Sequence, residues 1–488
     1  MKIQQLIPKI GWGLWGLAAV LVFALICVAG VSGFDYNHLW GALTYDLLVL
    51  LPLIVIGVLA TIQARRNPNR KPLKWIWLVL GVVWLVTVWL VNYSTSDSVE
   101  FLRWCQAYHN LSWADALREI NTVSNYVPFY NYFLIIFAHL FSLEYCLYAV
   151  RYLTFVFSLV LAVVVELIVC AVRQSKFNYL HLAGFLLLPP VLLEFAAWVQ
   201  CDAIYATFAL LAFYFALKHR SVGCFICLGL AFAVKLQFLF IVPMIFVMLL
   251  IRDADGKKYL SWKWIWLAPL MYVVNLIPFL AGAPLSGLLA VYLGQAGYYT
   301  RFSMNCLNLS YLLNPLSKLD NSVLTTVVTV MMVGVGVAVT VTLLVLVLRA
   351  HRRQPLTTAD IVRYALCFAM TMVYFMPKMH ERFYFLAMTL AFICLCVQPA
   401  KWHNLLGTMM ITALTISFFT YLFRNGVDLN DHVIYWVIII AVNVLGWLMN
   451  TLVVVGLWQP IIADEIKAHA ARTKAAAQPS PAPATTSA

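Results

Sequence analysis

Long apolar runs separated by short polar loops govern this chain from end to end. They fall at about 11–33, 43–63, 74–93, 149–172, 180–197, 203–218, 222–234, 238–251, 264–281, 322–349, 360–376, 384–399, 404–423 and 432–457, and a bilayer crossing takes roughly 20 apolar residues. The pattern predicts an all-α, polytopic transmembrane helical bundle with about 14 spans. One stretch interrupts it. From Ser94 to Tyr132 the residues Asp97, Glu100, Arg103, Asp115, Arg118 and Glu119 crowd together. Between them Phe101, Trp104, Cys105 and Tyr108, then Trp113, Ala116, Leu117 and Ile120, recur at helical spacing. That predicts amphipathic helices lying on a membrane face. The organisation expected is three N-terminal spans over 1–93, a large loop over 94–146, further spans over 147–458, and a tail over 459–488 that turns low-complexity and disordered from Ala475.

Composition fixes the class. Of 488 residues, 64% are hydrophobic and 10% charged, and the mean hydropathy is +0.89. The run from Ile10 to Phe34 lacks a small-residue cleavage site, so it is expected to stay as an anchor. The eleven cysteines lie mostly within apolar runs and read as small buried hydrophobes. A net charge of +13 does not call for nucleic acid, because the cations sit in short inter-span loops. With the spans above, 23 of the 32 Lys and Arg residues fall on one side, leaving 9 on the other. Positive charge stays inside. Both termini are therefore expected in the cytoplasm, with the Asp97 loop facing out of a multi-pass cell-membrane protein. Reading 222–251 as one helix gives 16 against 16, counting 127–142 as a span gives 14 against 18, and making both changes gives 21 against 11.

The outer face then collects the reactive side chains: Asp97, Trp198-Val199-Gln200-Cys201-Asp202, Lys235 with Gln237, the loop carrying Tyr292, Gln295, Arg301, Asn305 and Asn308, and Pro377-Lys378-Met379-His380-Glu381-Arg382. One carboxylate among cations and aromatics suits sugar transfer from a lipid phosphate. A single base takes the acceptor proton, and the phosphate leaves without an acid. Asp97 fits the base, and it also fits a helix N-cap. Lys235, Arg301, Lys378 and Arg382 fit a phosphate; a mid-run lysine costs about 2.5–3.5 kcal/mol and marks function more often than not. Tyr and Trp serve sugar stacking and the interface belt alike. Glu166 and Glu194 lie near or within spans without an assigned role.

Six separated motifs carry a resemblance: Asp97…Phe101…Trp104; Asn125-Tyr126…Pro128…Tyr130; Trp198…Gln200-Cys201-Asp202; Lys235…Gln237; Tyr292…Gln295 with Asn305…Asn308; and Pro377 to Arg382. Over roughly residues 75–400 the chain resembles the GT-C superfamily, and within it bacterial relatives of the GPI mannosyltransferase II family. More distantly it is similar to dolichyl-phosphate-glucose-dependent glucosyltransferases. It departs from them at Ser98, at Val127-Pro128 and at Val199, where the family carries an aromatic, a double proline and a glycine. The resemblance implies an inverting hexosyltransferase using a polyprenyl-phosphate mannose or glucose and a lipid-linked or surface-glycan acceptor. It implies Asp97 as base and Lys235, Gln237, Arg301, Lys378, His380, Glu381 and Arg382 around the donor. Trp104, Tyr126, Tyr130, Trp198, Gln200, Asp202, Tyr292, Gln295, Asn305 and Asn308 are candidates for acceptor and sugar. No cofactor is expected, and membrane lipids are expected partners. A transporter of lipid or glycan, or a membrane glycan polymerase or ligase, is the alternative, although ionisable groups in outer loops rather than at the midplane fit a transporter poorly.

Overall fold

The computed structural model describes residues 13–14, 17, 95–283, 285–286, 288, 300–319, 321–397, 401–424 and 433–477. The three expected N-terminal spans lie outside the described residues, apart from positions 13, 14 and 17. What is described is helical almost throughout. The longer helices are α1 (Ser96–His109), α2 (Pro128–Leu140), α3 (Leu143–Arg173), α4 (Asp202–Leu217), α5 (Ser221–Val234), α6 (Leu267–Leu280), α7 (Ser322–Arg353), α8 (Thr358–Phe375), α9 (Phe385–Val397), α10 (Lys401–Arg424) and α11 (Val433–Ala477).

Among the described residues, six helical segments are long and apolar enough to cross a membrane: Leu143–Arg173, Trp262–Leu280, Ser322–Arg353, Thr358–Phe375, Asn404–Tyr421 and Trp436–Thr473. Each lies on an expected span. The other expected spans within the described residues are shorter. The 180–197 run breaks into Tyr179–Leu186, Pro189–Leu193 and a π-helical turn, Glu194–Trp198. Two prolines at 189 and 190 account for the break, since proline lacks the N–H that would continue the first helix. Residues 222–251 form α5, a 3-10 turn at Leu236–Phe240, and Val242–Leu250, a broken pair and not one helix. The 127–142 run folds as the 13-residue α2. The protein is a membrane-associated helical bundle.

Local chemistry sets the helix ends. Thr95 caps α1 by accepting the Ser98 N–H, and Ser112 caps Trp113–Arg118 by accepting the Asp115 N–H. Thr357 and Asp360 form a reciprocal capping box at α8. On the largely exposed α7, Thr326, Thr329, Thr340 and Thr342 each donate to the carbonyl four residues back. Those hydroxyls thus need no water, as a lipid-facing helix requires. Packing is closest where α4 lies between α3 and α5 and where α10 meets α11. The α5–α6 crossing depends on Gly229: a Cβ there would stand 2.3 Å from the Ala268 carbonyl oxygen.

The helix ends gather in two sets. The starts of α1, α4 and α9 and the ends of α5, α8 and α10 meet at one end of the bundle, beside a two-residue parallel ribbon of β1 (Ser303–Met304) and β2 (Met379–His380). The opposite end carries the turns after α3 and α4, the 252–264 segment, and the Arg349 and Arg353 pairs to Glu465. The 16 residues of α4 separate the two ends by about 24 Å at 1.5 Å per residue.

Candidate active site

Asp97 is not the cap of its helix. Thr95 performs that task, which leaves the Asp97 carboxylate, in the first turn of α1, free to point into the bundle end. Its Oδ2 accepts from Gln200 Nε2 at 2.7 Å and pairs with Arg382 NH1 at 2.9 Å. The side chain keeps 27% of its surface exposed, and Oδ1 accepts no hydrogen bond among the described residues. The base candidate is thus held by one oxygen and open at the other.

Around it the charges interlock. Arg382 also reaches Glu381 at 3.3 Å and, through Nε, Asp202 at 3.6 Å. Lys235 donates to both Asp202 oxygens, at 3.0 and 2.9 Å. It stands at the end of α5, where the chain turns extended (φ −164°, ψ 141°) before the 3-10 turn, and this break puts its ammonium into the cluster. Burial works to lower the Lys235 ammonium, but the Asp202 carboxylate overcomes it and holds the group above its ordinary value. Glu381 is buried and accepts from the Trp198 indole at 3.2 Å. Burial would raise its carboxyl; the neighbouring His380 ring and Arg382 instead hold it below the usual carboxylate range. The His380 imidazole is pushed down by burial first and by Arg382 next.

A wall of aromatics flanks Asp97. The Tyr126 hydroxyl donates to Gln200 Oε1 at 2.8 Å, and its ring meets Trp104, Phe101 and Tyr130 at centroid distances of 5.3, 5.8 and 5.7 Å. Tyr130 donates to the Val199 carbonyl at 3.3 Å, and Thr154 of α3 donates to the Gln200 carbonyl at 3.1 Å. Gln200 is therefore fixed by Asp97 of α1, by Tyr126 in the turn before α2, and by Thr154 of α3. Val199 itself is left-handed, at φ 59°. A β-branched residue is strained there and glycine is not. The π-helical turn just before it widens the helix so that Trp198, rather than its neighbours, stacks on Phe418 at 4.6 Å.

Asp97, Tyr126, Tyr130, Trp104, Trp198, Gln200, Asp202, Lys235, His380, Glu381 and Arg382 thus lie in one cluster drawn from five separate stretches of chain. Other candidates sit apart. Asn305 is buried and donates to Ser417 and Thr420, and Asn308 donates to the carbonyls of Val373 and Met376. Both tie the ribbon loop to α8 and α10. Arg301 is exposed at the ribbon's edge, and Lys378 occupies a left-handed turn (φ 58°) whose N–H donates to Phe302. Gln237 lies in the 3-10 turn after Lys235, its carbonyl oxygen buried with no donor among the described residues. Tyr292 and Gln295 lie outside the described residues.

The structure adds Glu194. Fully buried, it stands within electrostatic reach of Asp202, Lys235 and Arg382. Its only signal in the sequence was a charge inside an apolar run. Among the described residues no three His, Cys, Asp or Glu side chains are placed to hold a metal ion. No protein-family profile matches the chain, and no curated protein matches it.

Proposed function

We propose that this chain is an integral-membrane glycosyltransferase of GT-C type, with fourteen spans, both termini in the cytoplasm and its active site on the extracytoplasmic face. It moves one hexose, mannose or glucose, from a polyprenyl-phosphate carrier to a lipid-linked or surface-glycan acceptor, with inversion. The observation that carries this reading is Asp97: a carboxylate anchored through Oδ2 by Gln200 and Arg382, open at Oδ1, and backed by Trp104 and Tyr126. In the reaction Oδ1 takes the proton of the acceptor hydroxyl. The acceptor oxygen bonds to the anomeric carbon, and the bond from that carbon to the phosphate oxygen breaks on the opposite face. The electron pair leaves with the polyprenyl phosphate.

Lys235 and Arg382 are paired with carboxylates, so they present less positive charge to a phosphate than free cations would. Their pairs hold Asp202 and Asp97 in place, and they face the leaving phosphate together with Lys378 and Arg301. Asp97 as an anchored base sets a specific requirement on the test. Purified protein in proteoliposomes is given a panel of radiolabelled polyprenyl-phosphate hexoses and extracted lipid acceptors. Label moving from one donor into acceptor supports the reading. Donor crossing the bilayer without any transfer overturns it in favour of a transporter.

A further inference from the structure

The end of the bundle opposite Asp97 holds a second feature, about 24 Å away along α4 by helix length. A cavity of about 510 Å³ opens between the α4–α5 turn and the start of the Trp262–Leu280 span, lined by Phe215, His219, Arg220, Ser221 and Trp264 among others. Its rim is built and not merely loose. His219 adopts a left-handed backbone (φ 57°), stacks on Tyr259 at 4.7 Å, and bonds through Nδ1 to the Lys258 carbonyl at 2.9 Å. Its Nε2 lies 3.4 Å from Asp253. Asp253 Oδ1 in turn accepts the N–H groups of Asp255 and Lys257 and fixes the 253–257 turn. The α4–α5 turn and the 252–260 turn are thus locked together around the cavity.

The charge around this opening is uneven. Lys218, Arg220, Lys257, Lys258 and Lys263 are all exposed here, against the carboxylates of Asp253 and Asp255. Arg220 lines the cavity and makes no ion pair among the described residues. Lys263 lies over the Trp264 ring at 5.2 Å, and Trp262 and Trp266 are exposed beside it. Exposed tryptophans at the end of a spanning helix mark the depth of the headgroup layer, and a basic pocket between helices at that depth recognises an anionic headgroup.

We propose that this cavity binds the phosphodiester headgroup of an anionic phospholipid. Arg220 and Lys263 meet the phosphate, and Phe215 and Trp264 meet the glycerol and upper acyl carbons. The site is independent of the chemistry at Asp97. It is tested by native mass spectrometry of the full-length protein in detergent, titrated with phosphatidylglycerol, with phosphatidylcholine and with soluble glycerol phosphate. Phosphatidylglycerol should be retained at concentrations at least ten-fold below phosphatidylcholine. Arg220→Gln and Lys263→Gln should each weaken phosphatidylglycerol about five-fold, as one surface cation contributes, and leave phosphatidylcholine unchanged. Arg352→Gln, an exposed cation on α7 away from the cavity, should change nothing. Unaltered phosphatidylglycerol binding in the Arg220→Gln, Lys263→Gln double variant overturns the proposal. So does an equal loss in Arg352→Gln. Glycerol phosphate binding as tightly as the lipid would assign the cavity to a soluble anion instead.

Discussion

Replacing Asp97 by asparagine separates the base from its surroundings. The substitution keeps side-chain size and one carbonyl oxygen that can accept from Gln200 or Arg382. It removes the charge that Arg382 faces at 2.9 Å and the capacity to take a proton. Arg382 is not stranded, because Glu381 lies 3.3 Å and Asp202 3.6 Å from it. The structural loss is therefore that of one charge-assisted hydrogen bond at a partly exposed group, about 1.5–3 kcal/mol at most, and helix capping is untouched because Thr95 supplies it. Removing a general base lowers the rate by roughly 10²–10⁴. Asp97→Asn should accordingly purify as a folded protein, bind donor with near-normal affinity, and transfer sugar at 1% of wild type or less in proteoliposomes. Glu100, paired to the exposed Arg103, and Asp115, paired to the exposed Arg118, face away from the cluster. Glu100→Gln and Asp115→Asn should transfer normally. Full transfer by Asp97→Asn, or an equal loss in either control, would refute the reasoning.

Other consequences are open to measurement. Lys235→Met leaves the fully buried Asp202 with Arg382 alone, at 3.6 Å, and should cost up to about 3–5 kcal/mol, while Lys235→Met with Asp202→Asn should recover most of it; thermal melts in detergent decide. At position 199 the backbone is left-handed, so Val199→Gly should be more stable than Val199→Ala by about 1 kcal/mol, the reverse of the usual order. The Glu381 carboxyl is held below its ordinary range, so its contribution is complete above the unfolded value, roughly pH 4.3, and fades as pH falls through the folded one. The melting gap between wild type and Glu381→Gln should hold from pH 8 to 5 and narrow only on further acidification. In intact cells, cysteine at exposed Ser96 should react with an impermeant maleimide, and cysteine at exposed Gln354 only after permeabilisation; the opposite pattern would invert the proposed orientation.

Read alone, the sequence determined the class and the inventory. Apolar runs of spanning length admit only a helical membrane bundle, because in lipid each backbone group must be satisfied within its own helix or barrel. Ionisable residues that interrupt such runs stand out, since burying them is costly; Lys235 was legible for that reason, and Asp97, Asp202 and the 380–382 triplet as polar residues that the span pattern gathers on one face. The number of full-length helices was not. Hydropathy cannot tell a crossing helix from the short pieces that Pro189 and Pro190 create. Nor could any one-dimensional pattern show who partners whom. Spacing left Asp97 as either cap or base, and the fold removed the first reading, by giving the cap to Thr95 and turning the carboxylate toward Arg382. The same is true of Lys235, read from sequence as a cation for a phosphate and found on Asp202. Helices far apart in sequence must first pack before their ends can share a charge, so pairing belongs to the tertiary structure, whereas the cost that makes each charge noticeable belongs to the residue itself.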